Sequence, residues 1–263
     1  MEWLQYAANL NGQGVALCNG KHGDVALEYF KGSLEVMAWI AMNSLDDLQR
    51  EEFAKHLPSR EVSTYASSTV LRSRRSASGS AQQGNTSIAS SDGVVQQRSQ
   101  EEAKPATPVV VAEVEAHHFV FEKPLTFTAA RSILTDPGQI SFVIAVIEFN
   151  MAMCLHLQSR QLLSDKTLFS SLHVYDCCLG HIARSGCSRE HSQLILFAAL
   201  NNKAALLYEI SSFQMAREVL KALSDEITKC KNTGFLYSID DNDLEGFLFN
   251  VMLLKGVCVA PAA

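Results

Sequence analysis

The amino-acid composition changes sharply near residue 58 and again near residue 116, and this break decides which parts of the chain can build a core. The stretch between them holds twelve serines and one aromatic residue, Tyr65. A segment with so little apolar surface cannot offset the ~1–2 kcal/mol of backbone entropy that each ordered residue costs. The sequence therefore predicts a disordered serine-rich loop over residues 58–116 in an otherwise ordered chain.

The parts on either side of this loop carry the periodicity of amphipathic helices, with apolar residues at steps of three and four. In the stretch Asp24–Leu45, for example, Ala26, Phe30, Leu34 and Met37 follow this rule. Further helices are predicted at about 46–57, 139–158, 165–185, 189–209, 213–231 and 241–256. The sequence therefore predicts an all-α protein with helices in residues 1–57 and in residues 139–263.

Residues 117–138 form a different kind of segment between the loop and the second group of helices. Residues 117–128 alternate apolar and polar side chains as a strand does. Pro124 cannot donate a hydrogen bond to a neighbouring strand, which limits this stretch to a sheet edge or an extended connection. We expect an extended connector over residues 117–138.

Small residues recur at one spacing in two distant stretches. Gly14 and Ala26 are twelve residues apart, and so are Ala204 and Ala216. Together with Phe30 of the first stretch, these positions resemble the tetratricopeptide repeat, a two-helix unit of about 34 residues. A third, degenerate copy places Ala152 at the small position of a first helix. The last predicted helix resembles a first helix without its partner, as a terminal cap helix would be.

This resemblance implies a right-handed superhelical array of helix pairs with a concave groove that binds a peptide or a helix of another protein. The layout, including the Ala-Pro-Ala-Ala ending, also resembles that of algal tetratricopeptide-like proteins. The alternative is an unrelated, irregular helical bundle, because amphipathic helices are common in proteins. The matching stretches cover about half of the chain.

Asparagine recurs at one position of the predicted repeats, as Asn150, Asn202 and Asn250. The resemblance implies that these side chains line the groove and bind a partner's main chain, since an amide group offers both a donor and an acceptor. Alternatively, they tie helices together or lie on a polar face. The basic residues of a chaperone-tail carboxylate clamp are not recognisable around them, so a chaperone adaptor is not predicted.

The residues that could form a metal site or a catalytic site give weaker signals. His173, Cys177 and His181 are four residues apart, but the ends of this stripe lie roughly 12 Å apart along a helix. One zinc ion with bonds of ~2.0–2.3 Å cannot span that distance, so we expect a polar or groove-facing surface instead. No complete phosphate loop and no C-x-x-C, G-x-S-x-G or H-E-x-x-H motif occurs. We predict no catalytic residue, no metal site and no cofactor.

Charge, apolar runs and cysteine content predict the kinds of partner and the cellular compartment. The net charge of −6 provides no overall basic field, so neither nucleic acid nor a membrane surface is a predicted partner. The most apolar stretch, Phe142–Leu155, is interrupted by Glu148 and Asn150 and falls short of the ~18–20 residues of a membrane span. An acidic residue at position 2 and no basic region before an apolar run argue against a signal peptide. Seven cysteines without paired spacing indicate reduced thiols and a cytoplasmic or nuclear location.

The predicted function is a non-enzymatic scaffold that binds another protein in its groove. An alternative is an enzyme that uses the helices as its body, with a site of His, Cys and Asp residues near 154–181. A third hypothesis is that the serine-rich loop folds back into the groove and blocks it until it is modified. Phosphorylation at Ser76 or Ser78 would place about −1.5 to −2 charge beside the nearby arginines and compact the loop. The oligomeric state is left open.

Overall fold

In a computed structural model of the chain, the described residues are 1–20, 22–44, 118–162, 164–186, 189–233, 236 and 239–257. They contain seven α-helices and one short 3₁₀ turn, Arg131–Leu134, so the all-α prediction is confirmed. The helices are α1 Glu2–Asn19, α2 Gly23–Ser44, α3 Pro137–Leu162, α4 Asp165–Ser185, α5 Arg189–Glu209, α6 Phe213–Thr233 and α7 Asp241–Val257. The predicted helix at 46–57 and the predicted serine-rich loop lie outside the described residues.

The helices pack as consecutive pairs, α1 with α2, α3 with α4, and α5 with α6. Neighbouring pairs meet where α2 contacts α3 and α4 contacts α5, and α6 then contacts α7. Local signals set some of these boundaries. The Ser164 hydroxyl accepts a hydrogen bond from the Thr167 amide and caps the start of α4, and Gly186 ends α4 in the left-handed conformation.

We call α1, α3, α5 and α7 the first helices. The first three of them, α1, α3 and α5, each contact the next first helix along the chain. Adjacent first helices therefore lie side by side, and residues at matching positions on them can face the same segment of chain.

Helix α3 lies at the centre of the core, in contact with α2, α4 and α5. Ile144, Ile147 and Phe149 have no exposed surface. Among the residues that the structure covers, α3 alone is long and apolar enough to cross a membrane, and 89% of its most apolar eighteen residues are buried inside the fold. A buried core helix passes the same test of length and composition.

Small residues allow the paired helices to approach closely. A Cβ atom on Gly14 would lie 2.5 Å from Cε1 of Phe30, so the α2 ring fills the space that a side chain on α1 would need. Ser33 of α2 donates a hydrogen bond to the Ala7 carbonyl oxygen of α1 across the same contact. All six residues assigned to repeat packing from the sequence are buried: Gly14, Ala26, Phe30, Ala152, Ala204 and Ala216.

The cysteine spacing predicts reduced thiols throughout, whereas the structure pairs Cys18 of α1 with Cys154 of α3, with Cα atoms 7.1 Å apart. The two residues are 136 positions apart in the sequence, so only the packing of α1 against α3 brings them together. Cys177, Cys178 and Cys230 are buried.

The contact between Gly14 and Phe30 gives a test with an internal control. We expect Gly14→Ala to lower the free energy of unfolding by roughly 1–3 kcal/mol, because the buried ring has no free space to move into. A Cβ atom on Gly12, two residues earlier on α1, would meet no atom within 4 Å. Gly12→Ala should therefore stabilise the helix by roughly 0.5–1 kcal/mol. Urea denaturation of both variants measures the difference, and equal midpoints would contradict the packing.

Candidate functional site

The predicted connector lies against the first helices. Residues 118–130 contain neither helix nor strand and precede the 3₁₀ turn. We call residues 118–128 the groove segment. In an extended chain alternate side chains point to opposite sides, and Phe119, Phe121, Leu125 and Phe127 indeed pack against the core. The alternation that resembles a strand in the sequence therefore reflects a segment with one side turned to the core, although Val120 between the two phenylalanines is buried as well.

The three asparagines selected from the sequence all bind the main chain of the groove segment. Each lies on a different first helix, and each uses its side-chain oxygen to accept from an N–H and its side-chain nitrogen to donate to the carbonyl of the same residue. The N–O distances are 2.7–2.9 Å. The pairs are Asn250 of α7 with Phe119, Asn202 of α5 with Phe121, and Asn150 of α3 with Leu125.

Two further asparagines belong to this arrangement. Asn11 of α1 donates to the Leu125 carbonyl and accepts from Asn150, both at 3.0 Å. Asn201 of α5 donates to the Phe119 carbonyl at 2.9 Å and accepts from Asn250 at 2.8 Å. We call the five residues the asparagine ladder: Asn11, Asn150, Asn201, Asn202 and Asn250. None of them is more than 1% exposed.

Sequence reasoning missed Asn11 and Asn201 because it followed a single phase. Asn150 and Asn202 stand two residues before the small positions Ala152 and Ala204. Asn11 stands three residues before Gly14, and Asn201 stands three before Ala204. The available signal was a second spacing, with asparagine three residues before the small position instead of two. An asparagine at this spacing lies one residue earlier on the same helix.

Burial makes these bonds costly to lose. A buried amide group or main-chain polar group without a partner costs about 1–3 kcal/mol. Asn202 is fully buried and also donates to the Tyr175 hydroxyl at 3.2 Å, so both of its amide hydrogens are used. The ladder therefore satisfies both its own amides and the main chain of the groove segment.

Aromatic contacts fix the side chains of the groove segment. The Phe119 ring lies against Gly246 and packs edge-on against Phe247 of α7, with ring centroids 5.6 Å apart. Phe121 is 1% exposed and lies 5.9 Å from the Phe149 ring and 5.8 Å from the Phe247 ring. Two first helices, α3 and α7, thus enclose this second ring.

A charged contact follows the two aromatic positions. The Lys123 ammonium lies 2.7 Å from the carboxylate of Asp243, near the start of α7. Asp243 is only 6% exposed, whereas most of the Lys123 side chain is exposed. The hydrogen bond to Asp243 raises the pKa of Lys123.

A cavity of about 620 Å³ lies where the groove segment ends. Phe127, Ile133, Phe142 and Val143 provide apolar walls, and Asp136 is among the polar residues around it. The side chain of Phe127 therefore borders open space, unlike the tightly packed ring of Phe121.

The His, Cys and Asp residues near 154–181, which the sequence offers as an alternative catalytic site, lie mostly between helices. The prediction of a polar or groove-facing stripe there is wrong, because Cys177 and His181 are buried where α4 packs against α3 and α5. Of the three residues in the stripe, only His173 is exposed. Burial raises the pKa of the Cys177 thiol to about 12, which keeps it protonated and weakly nucleophilic near pH 7. The described residues contain no group of three or more side chains suited to a metal ion.

Glu148 of α3 is fully buried in the same region, with one carboxylate oxygen 3.7 Å from the His181 ring. Burial raises its pKa well above the usual value of 4.5, although Arg184 acts in the opposite direction. This carboxyl group lies in the helix interface, away from the groove segment's main-chain contacts.

Comparisons with protein-family models, with curated proteins and with solved structures found no match to this chain. The site is therefore interpreted from its own geometry.

The ladder predicts a specific stability loss. Asn202→Ala leaves the buried N–H and carbonyl of Phe121 without partners, and we expect the free energy of unfolding to fall by about 1–3 kcal/mol or more. Asn242→Ala, at an exposed position of α7, should change it by less than about 0.5 kcal/mol. Hydrogen exchange at the Phe121 amide should accelerate in Asn202→Ala more than exchange at α3 amides does. Equal melting of the two variants would contradict the geometry.

Buried Glu148 predicts a pH dependence. Its raised pKa means that the folded state binds more protons than the unfolded state above pH 4.5. The free energy of unfolding therefore falls as the pH rises above 4.5. Glu148→Gln removes this pH dependence. Every tenfold difference in proton affinity between the folded and unfolded states is worth about 1.4 kcal/mol of stability. The variant should therefore melt higher than wild type at pH 7, and the gap should close towards pH 4.5. Glu35→Gln, at an exposed position of α2, is the control, and a pH-independent gap would contradict the assignment.

Proposed function

We propose that this protein is a non-enzymatic scaffold that binds an extended segment of a partner protein along the asparagine ladder. In this proposal the helix pairs stack as tetratricopeptide-like repeats in a superhelical array, and the ladder lines its concave groove. One observation carries the proposal. Three asparagines on three successive first helices each hold one residue of an extended segment through both its N–H and its carbonyl.

Main-chain binding of this kind suits peptide recognition. Bonds to N–H and carbonyl groups position an extended segment whatever its side chains are, as in the addition of a strand to a sheet edge. The asparagines sit on helices that contact one another, so they form one surface rather than separate sites. A surface of this type is complementary to an extended chain more than to a helix, whose N–H groups are already bonded internally.

The chain's own groove segment is the competitor in this proposal. A linked segment acts at an effective concentration of about 1 mM or more when its linker is short. A partner with the same contacts at ~1 μM would then be outcompeted roughly a thousandfold, by the ratio of these concentrations. The partner therefore binds after the groove segment has left, which places a regulatory step before recognition. The groove segment directly follows residues 58–116, the part of the chain for which the sequence predicts a modifiable loop.

An opened variant tests the proposal. Phe119→Ser together with Phe121→Ser removes one half-buried ring and one buried ring, of which the buried ring alone is worth about 3 kcal/mol or more, and should release the groove segment. We expect this variant to select binders from a displayed library of random peptides, and wild type to select few. Adding Asn150→Ala and Asn250→Ala should abolish the selected binding.

The matched control for the asparagine changes is Asn9→Ala with Asn242→Ala, because both positions are exposed on first helices. Circular dichroism establishes that each variant remains helical before selection. Binders that are indifferent to Asn150 and Asn250, or no binders at all, would contradict the scaffold function.

A further inference from the structure

We infer that the partner segment carries the pattern of the groove segment itself: aromatic, apolar, aromatic, any residue, basic, any residue, apolar. This inference rests on the proposed function and adds the side-chain chemistry that the groove selects. The pattern corresponds to Phe119, Val120, Phe121, Lys123 and Leu125 in this chain, where Val120 is only 9% exposed. It runs in one direction, because the first residue meets α7 and the last meets α3 and α1.

The first position requires a flat ring. Gly246 of α7 lies beneath Phe119, and a Cβ atom there would come within 2.6 Å of the ring. The absence of a side chain at Gly246 therefore creates a shallow slot whose other wall is the Phe247 ring. A planar aromatic side chain fills such a slot, whereas a β-branched side chain presents two substituents at Cβ that do not lie flat.

The second position selects an aromatic side chain by enclosure. Phe121 lies between the rings of Phe149 and Phe247, and its main chain is held by Asn202. Both ring pairs are tilted, by 55° and 32°, and their centroid distances fall in the range of roughly 4.5–7 Å at which aromatic rings attract one another beyond simple burial. A smaller side chain would leave a cavity between α3 and α7, while the main-chain bonds would remain.

The third position selects positive charge. Asp243 is 6% exposed and lies at the rim of the groove, where Lys123 provides its cation. An acidic residue at this position of a partner would place two carboxylates together in a partly buried site. The position therefore distinguishes basic from acidic segments more sharply than basic from neutral ones.

The last position is held firmly, and the residues after it are held loosely. Leu125 is bonded by Asn150 and Asn11 and packs against the core. Phe127, two residues later, borders the 620 Å³ cavity. Partners should therefore vary in side-chain size at the position of Phe127 and be restricted at the position of Phe121.

The test uses synthetic peptides and the opened variant. The probe is a fluorescein-labelled peptide with the sequence of residues 119–127, FVFEKPLTF. We expect it to bind the opened variant, and a peptide with both Phe119 and Phe121 replaced by Ala to bind at least roughly 30-fold more weakly. Replacement of Lys123 by Glu should weaken binding by roughly 3- to 10-fold, and Asp243→Lys in the protein should reverse that preference.

Two different failures can be told apart. If the native and Ala peptides bind equally well and both depend on Asn150 and Asn250, the pattern is overturned and the proposed function stands. If neither peptide binds while library peptides bind through the asparagines, the pattern is also overturned. If no peptide of any sequence binds through the asparagines, the proposed function fails.

A second measurement uses the unmodified chain and covers the case in which the opened variant does not fold. A peptide with a photoreactive benzoyl-phenylalanine at the position of Phe121 should cross-link to α3 and α7 at high peptide concentration. The native peptide should compete and the Ala peptide should not. Cross-links elsewhere, or equal competition, would overturn the inference. Light scattering then measures the oligomeric state of the wild type. If the wild type is a dimer that the peptide dissociates, a second copy of the chain is the occupant and the partner assignment is overturned.

Discussion

The hydrogen bonds between the asparagine ladder and the groove segment are the interaction on which the arrangement of the first helices depends. Each helix pair buries its own apolar face, as Gly14 and Phe30 show for α1 and α2. The groove segment is different, because it contacts α1, α3, α5 and α7 in turn through side-chain amides. It therefore links elements that contact one another less extensively than paired helices do. The main chain of Phe121 is buried, so the Asn202 amide that satisfies it contributes to the stability of the fold alongside the apolar core.

In this arrangement the residues that bind the main chain of the groove segment differ from the residues that contact its side chains. The amide groups of Asn150, Asn202 and Asn250 bind atoms that every residue except proline possesses. The side-chain contacts lie elsewhere, in the rings of Phe149 and Phe247 and in the carboxylate of Asp243. Under the proposed function, an occupant keeps its path while its side chains change, and its affinity depends on the aromatic and charged positions. Glu148 and Cys177 lie elsewhere, in the helix interfaces around α4.

Much of the fold was predictable because helices leave a strong local pattern. The predicted helix at 213–231 is observed as Phe213–Thr233, and the pattern at 139–158 belongs to the longer helix Pro137–Leu162. The three asparagines were also recognisable, since polar amides in apolar helices must have partners. The identity of the segment at the ladder was not predictable from the sequence, because the alternation in residues 117–128 predicts a side turned to the core without saying which helices cover it. The burial of His181 and the pairing of Cys18 with Cys154 depend on which helices become neighbours, and no local pattern encodes that.

The bond between Phe119 and Asn250 joins residues 131 positions apart, and this separation has a consequence during synthesis. At about 5–20 residues per second, roughly 7–26 s pass between the appearance of Phe119 and that of its partner on α7. During this interval the rings of Phe119 and Phe121 have no completed binding surface, although α1 and α2 already exist. The newly made chain therefore exposes an apolar aromatic stretch until α7 has left the ribosome, a period in which a chaperone or a neighbouring nascent chain can capture it.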